Sequence, residues 1–253
     1  MSAQGEIATT SAKRTNTKST SPAKAPEAAF PVDTSPVLLH LMHRFDGTPI
    51  PVSFRRIASW IRMGERATHY LHTYPAKLLP QIAHFFLAAS CLSKPGEQVL
   101  DPFGGTGTVA LEAILSKRIA LYADSNPLAR LISQTKTSSY NTRTLKNAFK
   151  RIEMRYRLSR TRTAPNVINI NYWYDKATIR QLARLKHAID LEKNAHTRAF
   201  FSVTLSAVAR KVSKADPRFS VPVRKKNGKK SKNENKTSKT AWDCFEEQFN
   251  SNI

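Results

Sequence analysis

The sequence predicts an α/β protein that opens a doubly wound parallel sheet, and three observations carry that expectation. VLD at 99–101 is a short apolar run ending in an acid. It leads through a glycine-rich turn, GGTG at 104–107, into the helical pattern TVALEAILSK. RIALYAD at 118–124 is a second apolar run that also ends in an acid, and the helix-like SNPLARLISQTK follows it. Strand, turn, helix, strand, acid, helix is a βαβ unit with its next helix.

The remaining elements follow in order. Residues 1–35 are rich in Ser, Thr, Ala, Lys and Pro and cannot bury enough apolar surface to offset chain entropy, so a disordered tail is expected. SFRRIASWIRMGE (53–65) spaces Ile57, Trp60 and Ile61 as an amphipathic helix. A polar and aromatic loop, THYLHTYPAKLLP, precedes the apolar LLPQIAHFFLAASCLS (78–93), which reads as a buried helix. KPGEQ (94–98) is a turn before the first strand. In SNPLARLISQTK, Ser125 or Asn126 suits the cap and Pro127 the first helical position. Helical patterns then dominate: TLKNAFKRIEMRYRLSR, KATIRQLARLKHAIDLEK and TRAFFSVTLSAVARKVSK, with NVINI (166–170) as a short strand candidate. Residues 224–239 hold eight Lys/Arg and one acid with no apolar residue, so they read as an unfolded basic stretch. TAWDCFEEQFNSNI regains an amphipathic pattern with Trp242, Phe245 and Phe249.

Charge narrows the partners. The chain of 253 residues has 41 Lys+Arg against 18 Asp+Glu, a formal net charge of +23. That surplus favours a polyanion, with nucleic acid ahead of an anionic membrane surface. The two cysteines, Cys91 and Cys244, stand far apart in no CxxC arrangement, so a reduced, cytoplasmic protein without structural zinc or another metal is expected. No uncharged apolar run reaches bilayer length, and no membrane contact is expected.

The turn itself carries the chemistry. Glycines 104, 105 and 107 let the backbone turn sharply and let a ligand approach main-chain N–H groups. No Lys-Ser/Thr pair follows them, and GGTGT is not GxGxxG, so neither phosphate-loop pattern holds. Asp101 before the turn would repel a pyrophosphate but suits a ligand bearing an ammonium. Asp124, at the tip of the second strand, is placed for the two hydroxyls of a ribose. A nucleoside with an amino-acid tail has both features, and S-adenosyl-L-methionine is that molecule.

These residues also resemble a family. DPFGGTGT is similar to the D-P-F-x-G-x-G-T motif of the amino-group DNA methyltransferases, which form N6-methyladenine or N4-methylcytosine. HTYPAKLLPQI resembles that family's H-x-Y-P-A-K segment, and DSNPLA its acidic segment after the second strand. The three matches lie in order within about residues 69–140. The resemblance implies a Rossmann-like S-adenosylmethionine-dependent methyltransferase fold with a helical C-terminal part. It implies that Phe103, Gly105 and Gly107, with Gly104 and Thr108 of the same turn, line the cofactor. Asp101 would face the methionine amino group and Asp124 the ribose, with Tyr74, Pro75 and Lys77 in the neighbouring segment. The organisation expected is a tail (1–35), a cofactor-binding part (36–140), a helical continuation (141–223), a basic disordered segment (224–239) and an amphipathic terminal helix (240–253).

One part of the family pattern is missing. The catalytic S/D/N-P-P-Y/F/W motif holds the target amino group and stacks on the flipped base. This sequence has no Pro-Pro pair. The nearest approach, ADPRFSVP (215–222), has Arg218 where the second proline belongs and follows a helical pattern rather than a strand. The fold is therefore expected to be incomplete, and no catalytic residue is assigned. The expected function is the cofactor-binding part of a site-specific DNA methyltransferase, either a split subunit or a truncated chain. A partner chain would carry the catalytic motif and target recognition, and the terminal amphipathic helix, expected to be exposed in a lone half domain, favours such a partner. The alternatives are a non-catalytic basic nucleic-acid-binding protein on a Rossmann-like core, or an RNA methyltransferase.

Overall fold

The computed structural model describes residues 33–57, 67–72, 74, 77–161, 164–219, 221–225 and 239–253. Among them the elements run α1 (Ser35–Arg44), α2 (Phe54–Ile57), α3 (Pro80–Leu87), β1 (Gln98–Asp101), α4 (Thr108–Leu115), β2 (Ile119–Tyr122) and α5 (Pro127–Lys136). They continue with α6 (Thr142–Leu158), α7 (Ile170–Trp173), α8 (Lys176–Asp190), α9 (Ala195–Lys211) and α10 (Ala241–Asn252). Residues 1–32 of the expected tail and 226–238 of the basic stretch lie outside the described residues, as do 58–65 of the helix expected at 53–65.

β1 and β2 are parallel, with Val99 opposite Ala120 and Asp101 opposite Tyr122. The crossover through α4 is the βαβ unit expected, and this small parallel sheet among helices is consistent with a Rossmann-like methyltransferase fold. Side chains alternate across the pleat. Val99 and Ala120 pack on Ala83 and Leu87 of α3 and on Val109 and Ala113 of α4. Leu100, Ile119 and Leu121 point the other way and are 66%, 51% and 46% exposed.

The largest core is helical rather than sheet-centred. Phe149 and Ile152 of α6, Leu185 and Ile189 of α8, Phe200 and Phe201 of α9, and Trp242, Phe245 and Phe249 of α10 form one cluster. Phe149 and Phe249 stack at 4.3 Å between ring centroids, and Tyr156 stacks on Trp242 at 4.8 Å. The helices that build this core start where short polar side chains occupy otherwise unpaired backbone N–H groups. Asn141 caps α6, Asp175 caps α8 and Asn194 caps α9, while Thr240 and Asp243 form a reciprocal capping box on α10.

Three expectations are corrected. NVINI is not a strand: Asn169 takes φ +57°, in the left-handed region, and the chain turns into the single-turn α7. The terminal helix does not expose its apolar face, because Phe245 is 0% exposed in the chain's own core. It therefore gives no support to a partner. The helix expected at 78–93 spans only Pro80–Leu87, and turns follow it to Leu92. In addition, α1 was not anticipated, and it begins at Ser35, the last residue of the expected tail.

Candidate cofactor site

The glycine turn is held by the ends of both strands. Beyond the named strands the ladder continues, with Ala123 N–H donating to Asp101 O at 3.0 Å and Gly104 N–H to Ala123 O at 2.8 Å. Asp101 Oδ1 accepts the Phe103 amide at 3.1 Å, which bends the chain out of β1. Gly107 caps α4 at φ +71°. A Cβ there would stand 2.2 Å from Ser133 Oγ and 2.9 Å from Ser133 Cβ, so the turn closes onto α5 only with glycine.

Asp124 joins the motifs. Its Oδ2 accepts the Gly105 amide at 2.9 Å and its Oδ1 the Asn126 amide at 2.7 Å. Asn126 caps α5 through Leu128 N–H at 2.9 Å and donates from Nδ2 to Tyr74 Oη at 2.9 Å. One hydrogen-bonded path thus runs from Tyr74 through Asn126 and Asp124 to Gly105. It brings together the H-x-Y-P-A-K segment, the acid after β2 and the glycine turn. Arg130 fastens the loop by donating to Asp124 O at 2.8 Å.

The other residues singled out in the sequence divide. Thr108 is buried as the first residue of α4, and Gly104 is buried against Tyr122. Phe103 is 88% exposed beside the turn. Lys77 does not join the path: it turns inward and donates from Nζ to His69 O. Pro75 lies outside the described residues. Asp216 is clasped by Arg218, with Nε–Oδ1 at 3.0 Å and an amino nitrogen to Oδ2 at 2.6 Å. Those hydrogen bonds hold its carboxyl down to about 2. It is a committed ion-pair partner in the loop closed by the Ala215–Arg224 bridge.

A buried cluster behind the turn went unread in the sequence. Glu112 of α4 is fully buried, with Oε1 at 2.9 Å from His69 Nε2 and Oε2 at 3.3 Å from His84 Nδ1. Burial pushes the His69 imidazole down from its ordinary value, against the opposing pull of Glu112. Lys136, at the end of α5, is buried beside Lys77 with no hydrogen-bond acceptor at Nζ. Burial first, and Lys77 second, lower it to about 7. The available signal was Glu112 itself, an acid in the otherwise apolar TVALEAIL.

The residues fit S-adenosylmethionine in their donor set. Two carboxylates stand at the C-terminal ends of adjacent parallel strands with a glycine turn between them. Each Asp124 oxygen keeps acceptor capacity beyond the backbone amide it already holds. Among the described residues no group of His, Cys, Asp and Glu is arranged to hold a metal ion. Both cysteines are free, and no described helix is long and apolar enough to cross a membrane.

Sequence comparisons with known proteins cover the same stretch. Residues 68–158 match the model of the RMKL-like methyltransferase domain. The Type II methyltransferase M.MvaI of Kocuria varians is 28% identical over 159 residues, 58% of this chain and 34% of that protein. The Type II methyltransferase M.MjaII of Methanocaldococcus jannaschii is 30% identical over 78 residues, 31% of this chain and 14% of that protein. The chain thus spans 34% or less of the length of these two relatives. No solved structure matches it. Over residues 68–158 the chain is thus similar to a methyltransferase domain, and parts of it are similar to two Type II methyltransferases.

Proposed function

We propose that this chain is the S-adenosylmethionine-binding part of a cytoplasmic, site-specific DNA methyltransferase acting on an exocyclic amino group of adenine or cytosine. The observation that carries the reading is the path Tyr74–Asn126–Asp124–Gly105, which ties three separate sequence motifs into one site. Asp124 receives the ribose hydroxyls and holds the turn in shape through the Gly105 amide. Asp101 faces the methionine ammonium, and Gly104, Gly105 and Gly107 keep the main chain open to the ligand. The exposed Phe103 ring covers one side of it. Bound there, the cofactor supplies an electrophilic methyl group.

The target amine is held by a second chain. This proposal rests on the open sheet face formed by Leu100, Ile119 and Leu121. Parallel sheets are ordinarily covered on both faces, and a chain bringing further strands and a helix would cover this one.

The test is transfer of tritiated methyl groups to mixed-sequence DNA, by the purified chain alone and by the fraction that copurifies with it from its native host. Activity in the second sample alone supports the split enzyme. Activity of the lone chain would reopen ADPRF as a catalytic segment. Silence in both, with no calorimetric binding of S-adenosylmethionine, would leave a non-catalytic nucleic-acid-binding protein. Transfer to RNA instead would move the reading to an RNA methyltransferase.

A further inference from the structure

Away from the glycine turn, an open cleft of about 300 Å³ lies between the end of α6 and the first turns of α8. It is lined by Ser159, Arg160, Thr161, Ala177, Arg180, Gln181 and Arg184. Three arginines, two hydroxyl-bearing residues and a glutamine therefore line one space, and no Asp or Glu is among them. The Gln181 oxygen already accepts the Ala241 amide at 2.8 Å, which leaves its NH₂ to donate. Ala177, one turn before Gln181, keeps the space between the polar groups open.

The guanidinium at the back is built in place. An Arg184 amino nitrogen donates to Tyr156 O at 2.6 Å and Arg157 O at 3.2 Å, and its Cζ lies 4.6 Å from the Tyr156 ring centroid. It thereby covers two carbonyls at the negative end of α6. Its Nε is buried and has no acceptor. Arg184 thus shapes the cleft, and the exposed Arg160 and Arg180 side chains are the ones a ligand oxygen can reach. The acids nearby are committed elsewhere. Asp175 caps α8 through Thr178 N–H at 2.8 Å and takes the Thr178 hydroxyl at 3.1 Å, while Asp243 is held in the α10 capping box.

We propose that this cleft anchors backbone phosphates of nucleic acid, holding the duplex through a surface that shares no residue with the glycine turn. The proposal rests on the reading of the chain as part of a nucleic-acid methyltransferase and adds to it the place where the backbone is gripped. Fork-shaped guanidinium donors match phosphate oxygens. Contacts of this kind fix position without reading sequence.

The test compares wild type with the Arg160→Ala/Arg180→Ala double variant. Both side chains are exposed, and Arg184 is retained because it clasps α6. Fluorescence anisotropy is recorded with two duplexes of unrelated sequence across a salt series. The expected result is equal weakening on both duplexes, by about tenfold at low salt. The slope of log K against log salt should fall in magnitude by about 1–2, since each neutralised phosphate contributes roughly 0.9. A Lys94→Ala/Lys193→Ala control, also removing two exposed cations, should leave the slope near that of wild type.

An unchanged slope in the arginine variant, or no duplex binding by wild type, would overturn the proposal. So would binding of inorganic phosphate that depends on Arg160 and Arg180 while duplex affinity does not, which would mark a small-anion site. Calorimetric titration of S-adenosylmethionine into the same variant keeps the two readings apart. Failure of the cleft leaves that titration unchanged, and failure of the methyltransferase reading abolishes it in wild type as well.

Discussion

Asp124 and Gly105, 19 residues apart in sequence, are joined by a 2.9 Å hydrogen bond from the Gly105 amide to Asp124 Oδ2. The same carboxylate holds Asn126, so one side chain both shapes the turn and presents negative charge beside it. Asp124→Ala should therefore weaken S-adenosylmethionine binding by at least about tenfold. A hydrogen bond to a charged group contributes roughly 1.5–3 kcal/mol, and about 1.4 kcal/mol corresponds to tenfold. Asp124→Asn, which keeps one acceptor for the turn, should fall between. Calorimetric titration giving the same affinity for wild type and both variants would remove Asp124 from the site.

Gly107 supports the turn from the other side. Gly107→Ala should destabilise the fold, because φ +71° disfavours a side chain by about 1–2 kcal/mol and the new Cβ would stand 2.2 Å from Ser133 Oγ. Adding Ser133→Gly removes the Oγ and Cβ clashes but leaves Ser133 Cα at 3.0 Å. Chemical denaturation should accordingly show partial recovery in the double variant. No recovery would mean that backbone strain alone sets the loss.

Lys136 gives the fold a pH dependence. Burial lowers its ammonium from 10.5 to about 7 in the native protein. Between those values the unfolded chain binds a proton that the native chain does not, so stability rises with pH across the interval. Below about 7 both states bind it, and the full cost of the buried charge is present. Urea midpoints should thus increase from pH 7 to pH 9 in wild type, and Lys136→Met should be more stable at pH 7 with a flatter profile. Parallel profiles for the two proteins would show that this lysine is solvated.

The C-terminal helix belongs to the chain's own core. Phe245 is fully buried and lies near Phe201 and Trp242, at 6.1 Å and 5.9 Å between ring centroids. Phe245→Ala should cost about 3–5 kcal/mol, the range for deleting a buried aromatic ring. A denaturation midpoint close to wild type would instead place α10 on the surface.

The sequence by itself determined the features whose causes are local. A strand ending in Asp101, a glycine turn that tolerates φ +71° and a helix capped by Asn126 each depend on residues a few positions apart. The long helices were legible for the same reason, because their apolar spacing repeats within each segment. Tertiary structure decided what each apolar face meets. The pattern of TAWDCFEEQF is the same whether the partner is α9 or another chain, and only packing shows Phe245 inside the helical core. NVINI has a strand-like composition, but a strand also needs a neighbour, and with Asn169 in the left-handed region the chain turns into α7. The Glu112 cluster and the burial of Lys136 were out of reach for a related reason. His69, His84 and Glu112 lie on three separate segments that only the packing of α3 and α4 against residues 67–72 brings within 3.3 Å.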